Sequence, residues 1–131
     1  MSSTRSEKLA RLVRVQRQIE RMAEYELSHT LRAQAETDAT QEALVSAVGS
    51  FNPIHAAMSH HYAQRFQRLS AKSQMLDGAR SVQERRVLTE KTKADRLADQ
   101  AGLAAAAEDR LESDESLFDL LDSSLQRRGF D

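Results

Sequence analysis

Residues 49–53, Gly49-Ser50-Phe51-Asn52-Pro53, interrupt two very long helical patterns. Pro53 is the sole proline of the chain. Its ring removes the backbone N–H and pushes the preceding residue out of helical space, so a helix must stop at or near Asn52. Gly49 tolerates a left-handed helix end, and Pro53 suits the first turn of a following helix. Two helices joined by so short a connection most often fold back antiparallel. The expected fold is all-α, a long antiparallel two-helix coiled-coil hairpin forming one domain over residues 1–131. It has a helix over about 5–48, a turn at 49–53, a helix over about 54–112 and a C-terminal segment at 113–131. That last segment forms either a short helix of its own or a continuation of the second arm.

Composition agrees with a rod rather than a globule. The chain is 40% hydrophobic, 5% aromatic and 30% charged, with no Trp. A compact domain of this length carries more aromatic bulk, whereas a helix pair needs only one apolar seam. The net charge of −1 gives no bulk field toward nucleic acid. Charge is unevenly spread: residues 49–96 hold nine Lys/Arg and four Asp/Glu, and residues 97–131 hold three and nine. The absence of Cys excludes disulfides, thiolate zinc sites and thiol chemistry. The N-terminus lacks the apolar core of a secretory signal, and no run approaches the ~18 apolar residues of a membrane span. These features lead us to expect a cytoplasmic protein that does not itself span a membrane.

The first helix is expected to start near residues 3–6, with Ser3 and Ser6-Glu7 in a loose capping arrangement. Leu9, Leu12, Ile19, Ala23, Ala33, Leu44 and Ala47 form its apolar stripe at steps of three and four. Gln16, Glu26, Thr30, Thr37 and Thr40 weaken the same stripe. The second helix has a clearer register. From Tyr62, steps of four and three reach Phe66, Leu69, Ser73, Leu76, Arg80, Gln83, Val87, Glu90, Ala94, Leu97, Ala101, Ala104, Glu108 and Leu111. A spacing of 3.5 held this long argues for a left-handed coiled coil. The polar members cluster from Arg80 to Glu90, beside Gly78, which makes that stretch the softest and a candidate kink. Ser113 is a second candidate break, because Ser116 with Asp119 resembles a capping box. Leu117, Phe118, Leu120, Leu121 and Leu125 then form an amphipathic helix ended by Arg127-Arg128-Gly129.

No constellation reads as catalytic. There is no Gly-x-Ser-x-Gly, no phosphate-binding glycine loop and no His-Glu-x-x-His. His55 and His60-His61 have no acidic residue near them in sequence, and they read as solvated or partner-facing rather than as metal ligands. The chain is therefore expected to be a non-enzyme without cofactor or metal. The ladder Lys8, Arg11, Arg14, Arg17 and Arg21 lies on one side of the first helix. It reads as a solvated face or as a contact for an acidic protein surface. No aromatic side chain interleaves it, which argues against nucleic acid. Leu44, Val45, Val48, Phe51, Ile54, Met58 and Tyr62 crowd the turn, either packing on one another or forming a contact site.

Two stretches carry a family resemblance. One is Lys8-Leu9-Ala10-Arg11-Leu12-Val13-Arg14-Val15-Gln16-Arg17. The other is Ala94-Asp95-Arg96-Leu97-Ala98-Asp99-Gln100, continuing through Ala104-Ala105-Ala106-Ala107-Glu108-Asp109-Arg110-Leu111 into an acidic segment with Phe118. With the long-helix pattern, they resemble the FliJ family, the small coiled-coil component of the bacterial flagellar type III export apparatus, and the related YscO-type injectisome stalks. The short loop and acidic end depart from many members. The resemblance implies a stalk whose termini enter the pore of a hexameric export ATPase and whose turn faces the membrane export gate protein, with export chaperones as further partners. By relative position it implies a ring contact through Leu9, Arg11, Leu12, Arg14, Arg96, Leu97 and Arg110. It likewise implies a gate contact through Leu44, Val48, Phe51, Ile54, Met58 and Tyr62. The implied location is cytoplasmic, peripheral to the inner-membrane export apparatus. The alternative is a general coiled-coil scaffold or oligomerisation protein without an ATPase partner.

Overall fold

The computed structural model describes residues 2–50 and 52–129. It contains three helices, α1 (Arg5–Val48), α2 (Pro53–Ala57) and α3 (Ser59–Arg128), and no strand among the described residues. The long helices α1 and α3 pack together. No helix is long and apolar enough to cross a membrane among the described residues.

The start of α1 is capped by a reciprocal pair. The Thr4 hydroxyl accepts from the Glu7 N–H at 3.2 Å, and the Glu7 carboxylate accepts from the Thr4 N–H at 3.4 Å. Two otherwise orphaned donors are satisfied, as in a capping box, one residue away from the expected Ser3 arrangement. At the other end of α1, the Gly49 N–H bonds the Val45 carbonyl at 3.1 Å and the Ser50 N–H bonds that of Ala47 at 3.2 Å. No described glycine has a positive φ, and a Cβ on Gly49 would meet the Val45 carbonyl oxygen at an ordinary 3.5 Å. The left-handed helix end expected at Gly49 is therefore not used; a tightened last turn replaces it.

Asn52 caps α2, its side chain accepting from the Ile54 N–H at 3.0 Å, with Pro53 in the first turn. The second arm is not one helix from residue 54. Met58 divides it, its N–H shared between the carbonyls of Ile54 and His55 at 3.2 Å each. Sharing one donor between two carbonyls tightens the turn and ends α2. Beyond that point α3 runs without interruption through Gly78 and Ser113 to Arg128. A glycine costs only about 1 kcal/mol relative to alanine, too little to break a helix flanked by good formers. Ser116 and Asp119 lie inside α3 and cap nothing.

The chain divides into a terminal unit, containing α1 up to Gln18 and α3 from Lys91, and a loop unit spanning Ile19–Glu90. In the terminal unit, Ser6, Leu9, Val13 and Gln16 of α1 are withdrawn from solvent, as are Ala94, Leu97, Ala101, Ala104 and Glu108 of α3. Both series step by three and four. Ala94 is 0% exposed, so the helices come close there. The Arg17 guanidinium donates to Asp95 at 2.9 Å. The Glu108 carboxylate sits at the amino end of α1, accepting from the Ser6 N–H at 3.0 Å and from the Ser6 hydroxyl. It thereby satisfies a backbone donor that α1 cannot satisfy internally, at the end where the helix dipole favours an anion.

That contact predicts a pH effect. The Ser6 hydroxyl, and then the Ser6 N–H, hold the Glu108 carboxyl below its ordinary 4.5. A depressed pKa contributes stability above the unfolded-state value, and that stability is lost as pH falls through the folded-state value. Parent protein is expected to unfold at a higher temperature than Glu108→Gln at neutral pH, with the gap closing as pH falls below 4.5 and through the lowered folded-state value. A gap that stays constant across this range would remove the carboxylate from the account.

In the loop unit the withdrawn residues of α1 mix polar with apolar: Glu20, Ser28, Thr30, Gln34, Thr37, Thr40 and Gln41 alternate with Ile19, Ala23, Leu27, Ala33, Leu44 and Ala47. The buried threonines supply their own partners. Thr30 donates to the Glu26 carbonyl at 3.3 Å and Thr37 to that of Ala33 at 2.8 Å, which lets Thr37 be only 2% exposed. Gln41 donates to the Ser70 hydroxyl at 3.0 Å, and Arg86 donates to Glu26 at 3.2 Å. On α3 the withdrawn series is Leu69, Ser73, Leu76, Arg80, Gln83, Val87 and Glu90. Arg80 pairs with Asp77 at 2.8 Å, yet its Nε and the Gln83 Oε1 are buried without hydrogen bonds. The polar stretch beside Gly78 thus remains helical but poorly satisfied.

The α3 register follows the spacing that starts at Tyr62, except that Phe66 and Leu111 are exposed. The α1 stripe is corrected. Leu12 is 52% exposed and Glu26 also faces solvent, while Val13, Glu20 and Leu27 occupy the stripe instead.

Candidate interaction surfaces

Every side chain assigned to a ring contact lies in the terminal unit. Leu9 and Leu97 are half-buried on the facing stripes and are committed to helix packing. Arg11, Leu12, Arg14, Arg96 and Arg110 are exposed. The Arg11 guanidinium donates to the Ser3 hydroxyl at 3.2 Å, which steadies the first rungs of the ladder. Arg17, a further rung, is drawn aside by Asp95. The solvent-facing side of α1 is not purely basic, because Val15, Met22 and Tyr25 are exposed among the cations, and Tyr25 stacks edge-on against His29 at 4.8 Å. Alongside, an open groove of about 360 Å³ is lined by Arg5, Leu103, Ala104, Ala107, Glu108 and Leu111.

From Asp109 to Arg128 every residue of α3 is exposed. Leu111, Leu117, Phe118, Leu120, Leu121 and Leu125 all present more than half of their surface to solvent. The compositional signal for this stretch was present in the Leu/Phe run, but its status as an uncovered continuation of a long helix depends on where α1 starts.

Around the turn, the gate assignment divides. Leu44 is only 6% exposed and is core, not surface. Val48, Ile54 and Met58 are exposed, Tyr62 is half-buried, and Phe51 lies outside the described residues. Leu44, Val48 and Tyr62 meet in an open apolar groove of about 380 Å³, completed by Val45, Ala63, Phe66 and Gln67. Ile54 and Met58 do not line it. Sequence reasoning placed Phe66 on the stripe; it is 37% exposed and lines this open groove. His55 packs edge-on against Tyr62 with ring centroids 6.0 Å apart, which ties α2 to α3. Among the described residues no group of three or more side chains is arranged to hold a metal ion.

Comparison with family models, with curated proteins and with solved structures finds no match for this chain.

Proposed function

We propose that this chain is a non-enzymatic stalk of a bacterial flagellar or related type III protein export apparatus, engaging the hexameric export ATPase and linking it to the membrane export gate. The observation that carries the reading is the meeting of the two stretches bearing the FliJ-like pattern. Residues 8–17 and 94–111 belong to one unit, joined by Arg17–Asp95. Next to them stand the exposed Arg11 and Arg14 and the uncovered end of α3. In this reading the helix pair is an antiparallel coiled-coil hairpin. Its support is the order of bonded pairs: Ser6 with Glu108 and Arg17 with Asp95 in one unit, Glu26 with Arg86 and Gln41 with Ser70 in the other. As the α1 number rises, its α3 partner falls. The ring contact is carried by Arg11, Leu12, Arg14, Arg96 and Arg110. The gate contact is carried by the groove around Val48 and Tyr62, with Ile54 and Met58 beside it. The protein works on the cytoplasmic side, peripheral to the inner membrane, with export chaperones as further partners.

The test is pull-down of the export ATPase by Arg11→Glu/Arg14→Glu, with Val48→Ser/Tyr62→Ser as the matched variant for the gate protein. Each is expected to weaken its own partner at least about tenfold and leave the other unchanged. Full binding of both partners by both variants would remove these contact assignments, and a parent that binds neither partner would favour a general coiled-coil scaffold instead.

A further inference from the structure

Residues 109–128 form a second amphipathic face that none of the described residues covers. Leu111, Phe118 and Leu125 repeat every seven residues and continue the series Leu97, Ala104 that packs against α1. Leu121 lies between the last two and widens the stripe. Glu112, Glu115, Asp119 and Asp122, at steps of three, four and three, form a ladder of carboxylates along one edge. An anionic lipid surface is a poor occupant for a stripe with such a border, since its potential is negative as well. The occupant should be a helix face that pairs apolar side chains with cations.

The same unit presents one. On the solvent side of α1, Lys8, Arg11 and Arg14 rise in steps of three, and the exposed Leu12 and Val15 lie among them. We propose that a second copy of this chain covers the end of α3. Residues 109–128 of each copy dock on the basic outer face of α1 in the other, carboxylate ladder against cation ladder. Because both surfaces belong to one unit, a two-fold axis satisfies both contacts at once, and assembly closes at a dimer instead of growing into a fibre. The inference goes beyond the stalk reading. It shares Arg11 and Arg14 with the proposed ring contact, so dimer and ring binding exclude one another.

The experiment is sedimentation velocity on the full chain alone, so its outcome is independent of any ATPase assay. The parent is expected to show a monomer–dimer equilibrium that weakens at least about tenfold between roughly 0.05 M and 0.5 M salt. Glu115→Arg/Asp119→Arg alone and Arg11→Glu/Arg14→Glu alone are expected to remain monomeric, because each opposes like charges. Mixed in equal amounts, the two variants are expected to form a heterodimer, since both of its contacts are again complementary. All four positions are exposed, and unchanged helicity by circular dichroism controls for folding. A parent that stays monomeric at low salt, or a dimer indifferent to either reversal, overturns the proposal. So does a parent that stays monomeric alone but binds a basic amphipathic peptide through residues 109–128, since this makes the occupant another protein.

Discussion

Leu44→Ala is expected to lower folding stability by about 2–3 kcal/mol, read as a shift of the urea midpoint followed by helicity. Ala23, Leu44 and Ala94 are the buried apolar residues among those described, so Leu44 is the one large aliphatic side chain in that set. Its loss removes apolar burial and leaves a hollow where the α1 stripe meets Tyr62 and Phe66. Partial collapse of an open groove keeps the cost toward the lower end of the range for such truncations. The neighbouring Val45→Ala is the control, since Val45 is largely exposed and its truncation should cost no more than about 0.5 kcal/mol. Equal losses from the two substitutions would mean that Leu44 is not the packing anchor of the loop unit.

Ala94→Leu tests the opposite property of the terminal unit. Ala94 has no exposed surface, and the added methylenes have nowhere to go without forcing α1 and α3 apart. Overpacking of this kind costs about 1–3 kcal/mol. A displaced α3 would also stretch Arg17–Asp95, one residue along. Ala105→Leu, on an exposed position of the same alanine-rich stretch, is expected to be near neutral because leucine and alanine are both good helix formers. A substitution at Ala94 as harmless as that at Ala105 would overturn the close approach of the two helices.

The two arms differed in how far they could be read from sequence. Asn52 and Pro53 announce the start of α2 through local chemistry, a side-chain cap and a missing N–H, and both act locally in the fold. The α3 stripe was legible because its apolar members keep one register for many turns. The α1 stripe was legible at Leu9, Ile19, Ala23, Ala33, Leu44 and Ala47 and at the polar Gln16, Thr30 and Thr37, and was missed at Val13, Glu20, Leu27, Gln34 and Gln41. Threonines that bond the carbonyl four residues back enter a seam without a hydrophobic signature. Gln16 and Glu20 are likewise held there by polar interactions. Placing Leu12 on the stripe favoured the nearer leucine over the correct Val13. The break weighed at Gly78 rested on a propensity difference of about 1 kcal/mol, which a long helix overrides, and the one at Ser113 on a capping-box pattern of Ser116 and Asp119 that lies inside the continuous α3. The surfaces fared similarly. The exposure of Arg11 and Arg14 followed from the ladder, whereas Leu9, Leu44 and Leu97, named as contacts by relative position, are withdrawn as their places on the two apolar stripes already implied.

The Ser6–Glu108 contact has a consequence in time as well as in space. Ser6 and Glu108 stand 102 residues apart along the chain, whereas Gln41 and Ser70 stand 29 apart. Closing the longer loop first costs about 1 kcal/mol more in chain entropy. By chain entropy alone, the Gln41–Ser70 contact is expected to close before the Ser6–Glu108 contact, which makes the carboxylate at the start of α1 late to engage.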